Sequence, residues 1–166
     1  MNIKKFNKPK FFKNILYNDT RGMLVEIYLK KKFNLFFKNC ILVSSKKNTI
    51  RGLHFQKKNS QIKIIFIIKG FINDFVVDIR KNKRSFGKIY NFKLKQGNGL
   101  IIPKGFAHGY SCLHKENIVL YLMSEYWYPK YESGIKWNDK SLNLKWKIKK
   151  PIVSKKDKLL GQFSEI

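Results

Sequence analysis

The chain has 166 residues and a mass of 19.8 kDa, and 43% of its residues are hydrophobic and 15% aromatic. This length and composition predict one folded domain over residues 1–166, whose core needs neither disulfides nor metal, and they exclude a disordered chain. The formal net charge is +26, from 36 basic and 10 acidic residues.

The positive charge is spread along the chain and forms no cluster. Lysine supplies 32 of the 36 basic residues and arginine only four, and Ala107 is the single alanine. Excess Lys, Asn, Ile and Phe with little Ala matches AT-rich codons, so a biased genome composition explains the charge. Nucleic-acid surfaces are typically richer in Arg and more clustered. We therefore expect a small anionic ligand and no nucleic-acid partner.

Cysteine usage and hydropathy predict a cytoplasmic protein that does not enter a membrane. Cys40 and Cys112 lie far apart in the sequence and form no CxxC pair, as is usual for free thiols in a reducing compartment. The apolar run Ile62–Ile68 contains Lys63 and is much shorter than the roughly 20 residues of a membrane-spanning helix. The basic N-terminus is not followed by the apolar core of a signal peptide.

Short strand-like segments follow one another along the chain and predict an all-β sandwich or barrel. Gly70 separates two long apolar runs and predicts a hairpin turn, and Gly97-Asn98-Gly99 predicts another turn. The predicted strands are Met23–Leu29, Asn39–Ser45, Thr49–Phe55, Ile62–Lys69, Phe71–Ile79, Gly87–Leu94, Leu100–Ile102, Gly109–Leu113 and Ile118–Ser124.

Helix is predicted to be scarce, with one short helix at Lys30–Phe37 and another at Asp157–Gln162. After Pro129 the pattern becomes mixed. Trp137 and Trp146 in this region are interpreted as packing anchors on the outside of the barrel.

Two of the three histidines lie in segments that contain turn-forming glycine. His54 belongs to Arg51-Gly-Leu-His-Phe-Gln56, and His108 ends the segment Gly97-x5-Pro-x-Gly-x2-His108. A histidine in such a strand-like run can be a general base near neutral pH. One half-buried histidine is more often satisfied by backbone, but the two in these contexts favour an active site.

The segment that ends at His108 resembles the second conserved motif of the cupin superfamily of small β-barrels. Within the cupins, the fuller set of motifs resembles the dTDP-4-dehydrorhamnose 3,5-epimerase family of nucleotide-sugar enzymes. The matching segments are Arg21-Gly22 with Glu26, Arg51–Gln56, Lys63, Val77–Lys81, Ser85–Gly87, Ile102–Gly109, Tyr121, Gly134–Asp139 and Ser154–Asp157. The resemblance implies an all-β cupin-type double-stranded β-helix, or jelly-roll barrel, with a few short helices.

Many cupins bind a metal through an H-x-H pair, a glutamate and a later histidine. The corresponding segment here is His54-Phe55-Gln56, with no second histidine and no glutamate at ligand spacing. We therefore do not expect His54 and His108 to share a metal. The resemblance likewise implies an epimerase that uses no cofactor.

Inverting a carbon beside a ketone requires a base, a group that stabilises the enolate oxyanion, and an acid on the opposite face. The resemblance implies His54 as the base, paired with Asp157, and Tyr121 as the acid. From the pattern alone, Asp157 would be a solvated loop residue and Tyr121 a core residue. Lys63 interrupts an apolar run, so it either points into a polar cavity as the oxyanion partner or faces water. Gln56 is a candidate substrate ligand.

The other candidates are implied to bind the substrate. Arg51 and Arg21 would hold phosphates, Glu26 the imide edge of the base, and His108 the oxyanion or sugar hydroxyls. In the family the strand with Arg21 and Glu26 is exchanged with a second subunit, so the resemblance implies a homodimer. Without the resemblance, Arg21 is a turn residue before Gly22.

The chain departs from the family pattern in one wall of the expected pocket. The strand before Arg51 normally carries Gln-x-Asn-x-Ser, and here these positions are Asn39, Ile41 and Val43. Alternate residues of a strand share a face, so the change affects one contiguous surface. Leu122 also stands where the family often has Lys, and Trp127 replaces one Tyr of a Tyr-Tyr pair.

The resemblance thus predicts a metal-independent epimerase that inverts carbons 3 and 5 of a nucleotide-linked 4-keto-6-deoxy sugar, namely the dTDP sugar of the rhamnose route. The nearest alternative is a 3-epimerase or ketoisomerase on the same scaffold. Another is a barrel that binds nucleotide sugars without catalysis, since a fold does not determine a function. A basic nucleic-acid-binding barrel is the least favoured.

Overall fold

A computed structural model describes Ile3 and residues 6–166, which form two antiparallel five-stranded sheets packed face to face. The first sheet has the strand order β1-β9-β6-β11-β4 and the second β12-β5-β10-β7-β8, while β2 and β3 form a separate hairpin. This is the predicted all-β jelly-roll. The strands are β1 (Lys10–Lys13), β2 (Leu16–Asp19), β3 (Gly22–Val25), β4 (Asn39–Lys46), β5 (Ile50–Gln56), β6 (Lys63–Lys69), β7 (Phe71–Asp78), β8 (Ile89–Lys95), β9 (Asn98–Ile102), β10 (Phe106–Cys112), β11 (Glu116–Met123) and β12 (Glu132–Gly134).

All nine predicted strands are present, although β3 ends four residues earlier than expected. Sequence reasoning missed β1, β2 and β12, which are too short to show a clear alternation of apolar and polar residues. The helices are α1 (Lys30–Phe33) and α2 (Lys155–Lys158), and single 3₁₀ turns cover Pro129–Tyr131 and Phe163–Glu165. Among the residues that the structure describes, no helix is long and apolar enough to span a membrane.

The prediction that Gly70 forms a hairpin turn is wrong. β6 and β7 on either side of it belong to different sheets, so Gly70 is a corner at which the chain changes sheet. Its φ is 94°, and a Cβ would lie 2.5 Å from the Glu116 carbonyl oxygen. Both flanking runs are apolar because each strand is buried inside its own sheet, a pattern shared by corners and hairpins. The turn at Gly97 likewise connects strands of different sheets.

Apolar side chains fill three layers. The layer between the sheets contains the inward side chains of the central strands, including Ile65, Val76 and Leu100. The C-terminal segment covers the outer face of the second sheet, where Trp146 packs edge-on against Phe75 with ring centroids 4.9 Å apart. The prediction that the tryptophans anchor this segment is therefore confirmed. The N-terminal region and α1 cover the outer face of the first sheet.

A β-bulge lies in β5 where it pairs with β10. His108 pairs with His54, but Tyr110 pairs with Arg51, so two residues of β5 lie opposite one residue of β10. In a regular strand, residues three apart point to opposite faces. Because of the bulge, both Arg51 and His54 line the same cavity between the sheets.

The bulge depends on two glycines whose backbones touch. Gly52 has a φ of 107°, and a Cβ on it would lie 2.7 Å from the Cα atom of Gly109. A Cβ on Gly109 would lie 2.5 Å from the carbonyl oxygen of Arg51. Neither position can carry a side chain unless the two strands separate.

We expect Gly52→Ala to lower the free energy of unfolding by about 2 kcal/mol or more, because strain at positive φ adds to a backbone clash. Gly87→Ala is the matched control. Gly87 also has positive φ, 76°, but the nearest atom to a Cβ there is a ring carbon of Phe163 at 3.4 Å, an ordinary van der Waals contact. Its cost should stay near 1 kcal/mol. Urea unfolding of the two variants compares them, and equal losses would show that crowding at Gly52 is unimportant.

Candidate active site

A cavity of about 200 Å³ lies between the two sheets. It brings together five of the candidate residues, which come from both sheets: His54, Arg51 and His108 from the second, and Lys63 and Tyr121 from the first. The rest of the lining consists of Ile41, Val43, Gln61, Tyr110, Met123, Trp127 and Glu132. In the described part of the chain, no group of three or more His, Cys, Asp or Glu side chains is placed to hold a metal ion.

His54 is hydrogen-bonded to a buried carboxylate, as the resemblance implies. Its Nε2 lies 2.9 Å from Oδ1 of Asp157, and Oδ2 accepts a hydrogen bond from the Gly52 backbone N–H at 3.0 Å. Asp157 is only 5% exposed, so the interpretation as a solvated loop acid is wrong. Ser154 caps α2 by accepting from the Asp157 N–H, which fixes the backbone that carries the carboxylate.

The charge of Asp157 follows from these contacts. Burial raises the pKa of its carboxyl, but the hydrogen bond and the charge of His54, with the N–H of Gly52, outweigh burial and lower it. The ionised carboxylate accepts the Nε2–H of His54 and stabilises the imidazolium form. Nδ1 is then the basic nitrogen of the neutral ring.

Lys63 lies at the start of β6 and lines the cavity, so of its two interpretations the structure supports the polar-cavity one. Burial lowers the pKa of its ammonium to about 8. The negative charges of Glu132 and Asp74 raise the pKa, but by less than burial lowers it. Lys63 is therefore mostly protonated at neutral pH. A cation in such a desolvated site acts strongly on any negative charge that develops nearby.

His108 lies beside a buried aspartate that sequence reasoning missed. Its Nδ1 lies 3.5 Å from Oδ2 of Asp74, which is fully buried on β7. Burial, followed by the charges of Lys63 and His54, lowers the pKa of His108 well below its usual value. Burial also raises the pKa of Asp74 well above its usual range. A neutral His108 can therefore donate one N–H to a ligand without carrying charge.

A sequence signal for Asp74 was present. Asn73-Asp74 interrupts the apolar strand β7, where an acid is costly unless it has a polar partner. The same argument singled out Lys63 in β6, and applied to β7 it would have found Asp74.

Two tyrosines, Tyr110 and Tyr121, line the cavity. Tyr121 pairs with Ile41 across β11 and β4, and its ring centroid is 5.9 Å from that of His108. Burial, followed by the neighbouring Tyr110, raises the pKa of Tyr121 well above its usual value, and burial raises the pKa of Tyr110 to about 12. Both phenols stay protonated at neutral pH, so Tyr121 can donate a proton to a strong base such as an enolate.

Arg51 lies between this cavity and a second one of about 500 Å³. Its Nε donates to the Ser45 hydroxyl at 2.9 Å and its Nη2 to the Ser44 carbonyl at 3.3 Å. These bonds hold the guanidinium at the junction of the two cavities, where it can bind an anionic group of a ligand.

Four candidates do not line the first cavity: Asp157, which lines the second cavity, and Gln56, Arg21 and Glu26. Gln56 is buried, and its amide donates to the carbonyls of Asn59 and Tyr126 and accepts from the Tyr128 N–H, so it anchors loops. Arg21 and Glu26 lie at the β2–β3 hairpin, exposed to solvent. Arg21 forms an ion pair with Asp19 at 2.6 Å, and 88% of its side chain is exposed.

Comparison with known proteins points to one family. The family model described as dTDP-4-dehydrorhamnose 3,5-epimerase matches residues 5–165. The Methanothermobacter thermautotrophicus protein of that name is 35% identical, over 86% of this chain and 83% of its own length.

Two solved structures agree with this. That of the Bacillus anthracis dTDP-4-dehydrorhamnose 3,5-epimerase, with TDP and PPi bound, is 36% identical, with a TM-score of 0.88 over 98% of this chain and 96% of its own. The Legionella pneumophila dTDP-6-deoxy-D-glucose-3,5-epimerase, in complex with dTDP-4-keto-L-rhamnose, is 27% identical. Its TM-score is 0.91 over 98% of this chain and 91% of its own.

In an NMR titration of ¹³C-labelled lysine, we expect one side chain to titrate near pH 8 and to disappear from the spectrum of Lys63→Met. Because the charge of Glu132 raises the pKa of Lys63, Glu132→Gln should shift this titration to lower pH. Glu116→Gln is the control, since Glu116 is an exposed partner of Lys69. A Lys63 signal that titrates with the bulk of the lysines would contradict the desolvated site.

Proposed function

The chain belongs to the dTDP-4-dehydrorhamnose 3,5-epimerase family, and we propose that its cavity inverts carbons 3 and 5 of dTDP-4-dehydro-6-deoxy-glucose through an enolate intermediate. This proposal rests on the placement of His54 and Tyr121 in opposite sheets, on either side of the cavity. His54, with Asp157 behind it, comes from the second sheet, and the protonated Tyr121 comes from the first. A sugar ring between the sheets would have a base on one face and an acid on the other.

In the proposed first step, His54 removes the proton from a carbon beside the ketone. The Asp157 carboxylate stabilises the imidazolium that forms. General base catalysis by a placed histidine contributes roughly 10²–10⁴-fold to the rate.

The electrons of the broken C–H bond move to the ketone oxygen, which becomes an enolate oxyanion. The Lys63 ammonium supplies the opposite charge, and the neutral His108 supplies an N–H donor in the same cavity. Carbons 3 and 5 both flank this ketone, so a single oxyanion site serves both inversions.

Tyr121 then protonates the carbon from the opposite face, which inverts its configuration. The phenol is strongly disposed to keep its proton in this buried site, so it yields it only to a strongly basic carbon. A barrel that only binds nucleotide sugars would not need this combination of base, oxyanion partner and acid. The single-site 3-epimerase or ketoisomerase remains the rival within the enzymes.

Incubation with dTDP-4-keto-6-deoxyglucose in deuterated water tests the reaction. We expect NMR to show deuterium at both carbons that flank the ketone, and His54→Ala should lose this exchange while the protein stays folded. His114→Ala is the matched control, because His114 is exposed and lies outside the cavity. Deuterium at one carbon would support the single-site rival, and full exchange by His54→Ala would rule out His54 as the base.

We also propose that the protein is a homodimer in which the β2–β3 hairpin of one subunit completes the cavity of the other. Ile15, Tyr17 and Leu24 in and beside this hairpin are 57–70% exposed, which is unfavourable unless another surface covers them. Arg21 lies at the tip, away from the cavity of its own chain. A second copy would supply Arg21 and Glu26 to the nucleotide.

Co-expression of Arg21→Ala with His54→Ala tests the exchange, with each variant expected to be nearly inactive alone. In a mixed dimer, the barrel with an intact His54 receives an intact Arg21, so random assembly restores about a quarter of wild-type activity. A light-scattering mass of two chains is expected for the wild type. If Arg21 acted within its own chain, the mixture would recover no activity.

A further inference from the structure

One wall of the cavity carries an apolar patch, formed by Ile41 and Val43 of β4 and Met123 of β11. Lys63 of the same sheet pairs with Met123 in the β11–β6 ladder and lies at the edge of this patch. Ile41 lies directly opposite Tyr121 in the β4–β11 ladder, so the two side chains share a face of the first sheet. The proposed acid is therefore flanked by apolar groups.

The facing wall is polar. His54, His108 and Arg51 of the second sheet lie there, and Glu132 lies beside them on β12. A sugar between the sheets can direct its polar atoms toward this side. Whatever it directs toward β4 meets the aliphatic side chains of Ile41 and Val43.

A hydroxyl pressed against the β4 wall would lose its hydrogen bonds to water and find no replacement there. A hydrogen atom or a methyl group in the same place would lose nothing and would bury apolar surface. The wall therefore discriminates between sugars that differ by one hydroxyl.

We propose that Ile41, Val43 and Met123 make this cavity favour nucleotide-linked 4-keto-6-deoxy sugars that also lack a hydroxyl on a ring carbon. This inference rests on the proposed epimerase function and adds a preference among its substrates, in which dTDP-4-keto-6-deoxyglucose is accepted but is not the most favoured sugar. The preference is moderate, about tenfold, because a hydrophobic pocket rejects an added hydroxyl only by up to roughly 10².

The test compares dTDP-4-keto-6-deoxyglucose with its 2-deoxy and 3-deoxy analogues. Deuterium exchange at carbon 5 is the readout, because this carbon is the same in all three sugars. For the wild type, we expect kcat/KM for at least one deoxy analogue to exceed that of the parent sugar by about tenfold. Equal values for all three sugars would overturn the inference.

Variants of the wall test its cause. Ile41→Asn and Val43→Thr introduce hydrogen-bonding groups and should remove or reverse the preference, whereas Ile41→Leu should keep it. Leu42→Asn makes the same kind of change on the other face of β4, where Leu42 is 61% exposed, and should leave the preference unchanged. Unfolding midpoints of all four variants establish that they are folded.

The outcomes separate the two proposals. If the wild type exchanges the parent sugar but Ile41→Asn and Val43→Thr do not alter the preference, the inference about the apolar wall is overturned. The proposed epimerase function would still be supported. Failure of the wild type to exchange carbon 5 of any of the three sugars would overturn both.

Discussion

The contact between the backbones of Gly52 and Gly109 is the constraint on which the cavity depends. Since no side chain separates them, β5 can bulge against β10 and turn both Arg51 and His54 inward. The N–H of Gly52 also donates to Asp157, which in turn is bonded to His54. One irregularity of the backbone thus positions His54, which we propose as the base, its partner Asp157 and the guanidinium of Arg51.

The two-sheet architecture supplies what inversion of a carbon needs. A base and an acid must act on opposite faces of the substrate, and His54 and Tyr121 come from opposite sheets. Burial between the sheets changes the pKa values of the neighbouring groups. It lowers the pKa of Lys63 to about 8 and lowers the pKa of His108 well below its usual value. The same desolvation that keeps the phenol of Tyr121 protonated strengthens the charge of Lys63 toward an enolate.

Polar residues inside apolar strands were the best guide to the site, but sequence reasoning applied this argument to Lys63 and not to Asp74. Lys63 was singled out because a charge inside an apolar strand needs a polar environment, although the pattern alone left open whether it faces a cavity or water. Asp74 breaks β7 in the same way and was overlooked. Tyr121 and Tyr110 gave no such signal, because a tyrosine in an apolar run packs in most cores with its hydroxyl satisfied. Gln56 belongs to a segment that matches the family, yet its amide is hydrogen-bonded to the backbone of the loops at Asn59 and Tyr128.

The sequence alone determined where most strands run and which segments carry the chemistry, because apolar runs, turn glycines and short motifs are local properties. Only the tertiary structure decided which strands pair, so Gly70 proved to be a corner between sheets. It also decided that Arg51 and His54 share a face, and it placed Asp157 against a histidine 103 residues away, a pairing that only the family resemblance had implied. These relations come from contacts between distant segments, and neither periodicity nor spacing along the chain records them.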